Sequence, residues 1–188
     1  MHHGNRHGRS EEARRSVLEA ADDLLVERGF AKLTIEGIAQ RAGVAKQTVY
    51  RWWSSKTEIL LEAFVEDAAE ELTPPDTGDL ERDYREHLRR LARFLTESDA
   101  GAVFRALTAE AQHDPALAAR LRAVHLDRQR ERDRLPLERA IERGGLSAGA
   151  DLDALVDRLV GPIYYRALVT GQEVTDGYVA ELVRTIRV

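Results

Sequence analysis

Apolar residues recur along most of the chain with the spacing of one helix face, at i, i+3, i+4 and i+7. No stretch alternates apolar and polar residues with the period of two that a half-buried strand needs. The pattern therefore predicts an all-α protein of about nine to ten helices. The expected helices run over residues 10–28, 34–42, 46–53, 55–72, 79–97, 100–112, 115–134, 137–143, 151–171 and 175–187.

Local start and stop signals set these boundaries. Ser10 is expected to cap the first helix, which leaves residues 1–9 as a flexible N-terminal arm. Thr34 can cap the second helix, and the segment 55–58 has the S-x-x-E form of a capping box. The clearest break is the segment 73–78, because its two adjacent prolines cannot continue a helix. We therefore expect one domain over residues 10–56, a linking helix over 55–72 and a second domain over 74–188.

Two prolines fall inside the second domain, and they carry different expectations. Pro136 is expected to separate two helices, because a proline lacks the N–H that the helix ladder needs. Pro162 lies within a longer apolar pattern and is expected to kink a single helix.

Residues 34–53 have the spacing of a helix-turn-helix. A helix of about eight residues ends at Gly43, and Val44 and Ala45 lead directly into another short helix. In this motif the second helix enters the major groove of DNA. Ile38 and Val49 suit the inward face, which leaves the polar residues of the second helix to face solvent or DNA.

The polar residues around the second helix have chemistry that suits DNA. Lysine or arginine can pair with guanine and glutamine with adenine, and hydroxyl groups can bind phosphates without reading sequence. Each residue alone also suits an ordinary role, as a surface cation, a helix cap or a core aromatic. Trp53, beside Val49, is assigned to the core outright. The candidate DNA contacts are Thr34, Lys46, Gln47, Thr48, Tyr50, Arg51, Trp52, Lys56 and, on the arm, Arg6 and Arg9.

The segment 33–56, LTIEGIAQRAGVAKQTVYRWWSSK, resembles the DNA-binding domain of the TetR family of bacterial transcriptional regulators. Its most specific elements are Ile-Ala-x-x-Ala-Gly-Val at 38–44, Thr-x-Tyr at 48–50 and the spacing of Tyr50, Trp53 and Lys56. Two positions depart from the family pattern: Ala45 stands where a capping serine is common, and Trp53 where phenylalanine is more usual. The resemblance implies base readers and phosphate contacts. The implied base readers are Lys46, Gln47 and Arg51, and the implied phosphate contacts are Thr34, Thr48, Tyr50 and Lys56.

The charge distribution agrees with a basic module joined to an acidic one. The whole chain carries a net charge of −5, which by itself does not suggest a nucleic-acid binder. Residues 1–56, however, hold ten Lys and Arg against seven Asp and Glu, whereas the remainder holds 18 against 26. Chance scatter of charge gives the alternative explanation of this asymmetry.

The second domain has the apolar stripes expected of a dimer interface. The segment 159–172 resembles the penultimate helix of one TetR-type C-terminal subgroup, and two such helices from each of two subunits would form a four-helix bundle. A two-fold dimer would double the DNA footprint and require a palindromic site. In the alternative, the stripes pack only within their own subunit. The candidate interface residues are Leu155, Leu159, Ile163, Val179, Leu182, Val183 and Ile186.

A ligand pocket in the second domain is implied by the family rather than by a motif. Helix-lined apolar pockets with a few polar groups are typical small-molecule sites. Each candidate also suits ordinary core packing. The candidate lining residues are Phe94, Phe104, Leu107, His125 and Tyr165.

Several classes of protein are disfavoured by composition. The absence of cysteine excludes a disulfide scaffold, a thiolate metal site and a cysteine nucleophile. His87, His113 and His125 lack metal-ligand spacing on one helix face, so we expect no catalytic residue, metal or cofactor. The polar N-terminus is unlike a secretory signal and no apolar run can cross a bilayer, so a cytoplasmic location is expected.

These observations predict a DNA-binding regulator, most simply a repressor that a small molecule releases from a palindromic operator. The first alternative is a constitutive or architectural DNA-binding protein without an effector. The second is a helical enzyme that carries an incidental helix-turn-helix.

Overall fold

In the computed structural model, residues 4–186 are described, except for the side chains of residues 4–9, 66, 67, 69 and 70. This part of the chain forms ten α-helices and contains no strand, as the periodicity predicts. The α-helices are α1 Gly4–Arg28, α2 Ile35–Arg41, α3 Lys46–Tyr50, α4 Lys56–Glu71, α5 Leu80–Glu97, α6 Asp99–Ala111, α7 Pro115–Leu121, α8 Asp127–Glu142, α9 Leu152–Tyr164 and α10 Asp176–Arg184.

The predicted caps of α2 and α4 are confirmed. Thr34 Oγ1 accepts a hydrogen bond from the backbone N–H of Gly37 at 3.1 Å, and Ser55 Oγ accepts one from Glu58 at 3.2 Å. The start of the first helix is different, because α1 begins at Gly4 and Ser10 lies inside it. The expected flexible arm is therefore helical from residue 4. No proline interrupts this segment, and Gly8 costs a helix only about 1 kcal/mol.

Neither of the two helical prolines ends its helix. Pro136 lies inside α8, so the expected break there is wrong. Gln129 and Asp133 before it and Leu137 and Ala140 after it are all buried, and this packing holds the helix together across the missing hydrogen bond. After Pro162, α9 continues to Tyr164 and then widens into a π-helical turn over Tyr165–Thr170.

The helix α7 runs directly into α8 through another π-helical turn, Arg122–Leu126. Single π-turns of this kind are uncommon and occur often at functional sites. Here the turn carries His125, which is 2% exposed.

Helix α4 joins the two halves of the molecule. It packs against α1 on one side and against α6 on the other, and α5 contacts α6, α8, α9 and α10 in the second half. The buried residues of both halves form one continuous hydrophobic core.

The segment 73–79 between α4 and α5 is a loop, as its prolines predict, and polar contacts anchor it. The buried carboxylate of Asp83 accepts hydrogen bonds from Thr77 N at 3.0 Å and Thr77 Oγ1 at 2.7 Å. Arg143, at the end of α8, donates to Asp76 at 2.7 Å. The linker is therefore tied to the second half of the molecule.

Candidate DNA-binding surface and second-domain core

Helices α2 and α3 form the predicted helix-turn-helix. Gly43 adopts a φ of +67°, a left-handed conformation that favours glycine, and the chain turns there. The turn is closed by a hydrogen bond from Val44 N to Ala39 O at 3.0 Å. Ile38 and Val49 are fully buried beneath it, which leaves the opposite face of α3 in solvent.

Helix α3 starts without a side-chain cap. The side chain of Ala45 has no hydrogen-bond acceptor. Its backbone carbonyl accepts a hydrogen bond from the N–H of Thr48 at 2.8 Å. Alanine at the position where the family commonly has serine therefore leaves the start of α3 less firmly fixed than a capped helix.

The exposed face of α3 contains two unengaged side chains. Gln47 and Arg51 are exposed, and within residues 4–186 neither side chain has a hydrogen-bond or ion-pair partner. Tyr50 is 48% exposed, and Thr48 is half-buried. Gln47 and Arg51 can therefore reach another molecule without first breaking a contact.

Lys46, by contrast, is engaged. Its ammonium forms a short ion pair with Glu36, in the first turn of α2, and lies 5.5 Å from the centre of the Tyr50 ring. The hydrogen bond with Glu36 raises the pKa of Lys46, and the same bond lowers the pKa of Glu36. Because the pair is exposed, breaking it costs little.

Lys56 is also engaged, in a position that sequence did not predict. Its ammonium donates to the carbonyl of Phe30 at 2.7 Å and lies 3.9 Å from the centre of the Phe30 ring. The half-buried Lys56 therefore anchors the start of α4 to the turn that follows α1. An ammonium has three donors, so a phosphate contact stays open to it.

The two tryptophans after α3 differ in role. Trp53 is 3% exposed and donates through Nε1 to Glu62 at 3.0 Å, so its assignment to the core is confirmed. Trp52 is half-buried and its ring lies edge-on to that of Trp53, with centroids 5.3 Å apart. The side chains of Arg6 and Arg9 lie outside the described residues.

Four of the five predicted pocket residues are buried in the second domain. Phe94, Phe104, Leu107 and His125 are each at most 2% exposed. The fifth, Tyr165, is 58% exposed and does not line this region. Its neighbour Tyr164 takes that place, with its ring 6.0 Å from that of Phe104. At the end of α9 the helical turn directs adjacent residues to different faces.

An aromatic cluster surrounds His125. The His125 ring lies 4.4 Å from the Phe64 ring and 5.5 Å from the Phe104 ring, and the Phe64 ring lies 6.1 Å from that of Phe94. Burial, with a smaller contribution from the charge of Arg132, lowers the pKa of His125 from 6.5 to about 4. His125 is therefore neutral at pH 7. Its Nε2 atom is buried and has no hydrogen-bond partner in the described structure.

A buried polar stripe follows His125 along α8, and sequence reasoning missed it. Gln129 and Asp133 are 2% and 4% exposed, although they lie in the highly charged segment 128–134, whose composition is typical of a solvated helix face. Asp133 accepts from Gln129 at 2.8 Å and lies 2.7 Å from Nε2 of the fully buried His87. The signal in the sequence is the four-residue spacing of 125, 129 and 133, which places one residue of each turn on the same face.

One ion pair joins the two halves of the molecule at the surface. Arg120 of α7 donates to Glu58 of α4 at 2.5 Å. The other oxygen of the Glu58 carboxylate accepts from Ser54 N at 2.7 Å and Ser54 Oγ at 2.8 Å. These contacts lower the pKa of Glu58, with the Ser54 N–H as the largest cause. Glu58 therefore connects the second half to the loop that follows the recognition helix.

The predicted dimer stripe is already buried inside one chain. Six of its seven residues are at most 7% exposed, which favours the alternative that the stripe packs within its own subunit, and only Leu182 is half-buried. The six are Leu155, Leu159, Ile163, Val179, Val183 and Ile186. They pack in their own subunit because α9 and α10 both lie against α5. Periodicity identifies a buried face but not which molecule covers it.

The opposite face of α9 and its π-turn exposes apolar groups. Tyr165 is 58% and Val169 70% exposed, and Gly161 lies four residues before Tyr165 on the same side. A Cβ atom added at Gly161 would meet nothing within 4 Å. This face therefore leaves room for another helix to approach closely.

The described part of the chain lacks two further features. No helix there is long and apolar enough to cross a membrane. No group of three or more His, Asp or Glu residues is arranged there to hold a metal ion.

The exposed recognition helix, joined to a larger helical domain, defines a helix-turn-helix regulator. The family profile described as bacterial regulatory proteins, tetR family, matches residues 17–63, and the profile of the tetracyclin repressor-like C-terminal domain matches residues 74–186. The chain belongs to the TetR family of transcriptional regulators, which bind DNA.

Individual regulators are similar in sequence to this chain over most of its length. The uncharacterized HTH-type transcriptional regulator YdeS of Bacillus subtilis is 40% identical over 175 residues, which cover 93% of this chain and 88% of YdeS. The DNA-binding transcriptional repressor TetR of Mycobacteroides abscessus is 29% identical over 180 residues, covering 93% and 92%. The crystal structure of the TetR family regulator SCO0332 superposes with a TM-score of 0.77 at 34% identity, covering 93% of this chain and 96% of SCO0332.

Proposed function

We propose that this regulator is a homodimeric repressor that binds a palindromic operator and is released by a small molecule. The observation that carries the DNA-binding part is the exposed face of α3, where Gln47 and Arg51 have no partner within the described chain. The sequence relation to a DNA-binding transcriptional repressor supports repression as the outcome.

Base recognition is assigned to Gln47 and Arg51, with Lys46 in a conditional role. Glutamine can pair with adenine and arginine with guanine through two hydrogen bonds each. Lys46 must first leave Glu36, so it contributes only where DNA offers a better acceptor than that carboxylate. Phosphate contacts are assigned to Thr34, Thr48, Tyr50 and Lys56, with Arg6, Arg9 and Trp52 as further candidates.

Dimerisation is assigned to the exposed face of α9 and α10. Tyr165, Val169 and Leu182 supply apolar surface, and Gly161 permits close approach of the partner helix. A two-fold dimer presents two copies of α3 to successive major grooves, which is why a palindromic operator is expected.

Release by an effector is supported by the second domain. His125 keeps an unpartnered buried atom, and the same continuous helical segment carries Arg120, which pairs with Glu58. A ligand that moves this segment would alter the position of the recognition helix. The coupling must be reciprocal, so DNA would weaken ligand binding by the same factor.

Selection of bound DNA from a random pool tests this proposal. The expected result is an inverted repeat whose half-sites lie about one helical turn apart, or a multiple of it. Enrichment of no sequence at low ionic strength would overturn the proposal. Constitutive binding, the second candidate, would be favoured if DNA binding proved specific while broad small-molecule screening never changed it.

A further inference from the structure

We propose that His125 and Thr108 form the recognition group of the effector site, and that they select an uncharged, ring-containing molecule with a hydroxyl group. The inference rests on the proposed function, because it concerns the ligand of the same second domain. It starts from two polar atoms, His125 Nε2 and Thr108 Oγ1, which are buried and unpartnered in the described structure.

Unpartnered buried polar atoms are rare, because each lacks the hydrogen bond that water would supply. Leaving one unmet costs about 1–3 kcal/mol, so such an atom in a native core calls for an explanation. Phe104 is the residue that relates the two. Thr108 lies one turn after Phe104 on α6, and the Phe104 ring lies 5.5 Å from the His125 ring.

The surroundings define the shape of the ligand. The rings of Phe64 and Phe104 flank His125 at 4.4 Å and 5.5 Å, and aromatic side chains stack well on planar apolar molecules. A cleft of about 500 Å³ on the surface has Phe94 in its lining, and the Phe94 ring lies 6.1 Å from that of Phe64. A ligand would have to enter by displacing the Phe94 and Phe64 rings, which are 2% and 0% exposed.

The polar groups define the chemistry of the ligand. A neutral imidazole nitrogen either donates or accepts a hydrogen bond, depending on the tautomer. A hydroxyl group can pair with either tautomer, because it can both donate and accept. A charged ligand is disfavoured, since the burial that keeps His125 uncharged would also penalise an ion. The charge of Arg132 reaches His125, but this guanidinium is already partly engaged. Its Nε atom donates to Gln129 at 3.0 Å.

The π-helical turn provides the means of response. His125 lies within Arg122–Leu126, directly after α7, whose Arg120 pairs with Glu58. A hydroxyl group that binds Nε2 would therefore act on the π-helical turn itself, next to the helix that contacts the DNA-binding half through Arg120.

Three matched probes test the ligand class on the full-length protein: 2-naphthol, naphthalene and 2-naphthoate. Binding is measured by titration while the His125 ring resonances are followed by NMR. We expect 2-naphthol to shift these resonances and to bind about tenfold or more tightly than naphthalene, because the bare ring leaves both atoms unpaired. The anion 2-naphthoate is expected to bind more weakly than 2-naphthol.

Variants separate a polar contact from simple burial. His125→Phe and, independently, Thr108→Val should each reduce the preference for 2-naphthol over naphthalene, whereas His113→Phe, at an exposed histidine, should leave it unchanged. Circular dichroism verifies that each variant is folded. If His125→Phe does not fold, Thr108→Val alone tests the polar contact. Equal binding of 2-naphthol and naphthalene, tighter binding of 2-naphthoate, or no binding of any probe would overturn the inference. Specific DNA binding by the same wild-type sample would show that the proposed function survives that failure.

Discussion

At the scale of single residues, the recognition helix carries both engaged and unengaged side chains. Lys46 and Gln47 are adjacent, yet Lys46 is paired with Glu36 while Gln47 is open. The sequence predicts that both lie at the start of α3. It could not predict the pairing, because Glu36 lies ten positions away on another helix and only the turn at Gly43 brings the two together.

The first prediction concerns base recognition. Gln47→Ala or Arg51→Ala should reduce binding by about 1–3 kcal/mol at the base pair that each residue reads, and should relax selection there. Competition binding against single-base operator variants measures this. Lys32→Ala, an exposed cation outside α3, should leave base preference unchanged. A uniform loss over all sequences from Gln47→Ala and Arg51→Ala would contradict their assignment.

The second prediction concerns pH. Folded His125 stays neutral down to about pH 4, where its lowered pKa lies, whereas an unfolded histidine titrates near 6.5. Between these values the unfolded chain binds the additional proton, so stability falls as the pH is lowered through this window. The full difference amounts to about 3 kcal/mol. Urea unfolding from pH 4 to 8 should show this loss in the wild type but not in His125→Gln.

Other carboxylates and histidines also titrate in this range, so the comparison must be between variants. His113→Gln replaces an exposed histidine and should keep the wild-type pH dependence. The burial of His125 is refuted if wild type and His125→Gln lose the same free energy of unfolding on acidification.

At the scale of elements, the sequence predicts helices better than it predicts what covers them. The caps at Thr34 and Ser55 and the turn at Gly43 are local, and the structure contains all three. The break expected at Pro136 does not occur, because packing on both sides of it outweighs the lost hydrogen bond. The stripe through Leu159 and Ile163 is real, but α5 of the same chain covers it.

The third prediction concerns the contact between α5 and α6. A Cβ atom at Gly101 would lie 1.7 Å from the carbonyl oxygen of Phe94, so Gly101→Ala forces the two helices apart. The cost should be at least about 2 kcal/mol, towards the upper part of the range for overpacking. Thermal or urea unfolding measures it.

Gly177 in α10 is the matched control. A Cβ atom there would meet only Thr175 Oγ1, at 3.9 Å, which is an ordinary contact. Gly177→Ala should therefore be neutral or stabilising, by up to about 1 kcal/mol. Equal effects of Gly101→Ala and Gly177→Ala would show that α5 and α6 are not closely packed at Gly101.

At the scale of the whole molecule, the fourth prediction concerns assembly. Val169→Glu should produce monomers, because it places a charge on the exposed face of α9 and its π-turn, which we assign to the partner subunit. Val26→Glu introduces the same charge at a valine that is 51% exposed on α1, and should leave the dimer intact. Sedimentation velocity distinguishes the two outcomes. A dimer that persists in Val169→Glu would place the interface elsewhere.

The position of α4 has a practical consequence for protein engineering. Its first turn is bonded to Ser54, whereas Phe64, two turns later, packs among the aromatic rings of the second domain. A cut after Lys56 would remove the helix that packs against α1 in the DNA-binding half. It would also expose buried apolar side chains of the second domain. Chimaeras that exchange DNA specificity between relatives should therefore be joined within the loop 73–79. Each DNA-binding half then keeps its own α4.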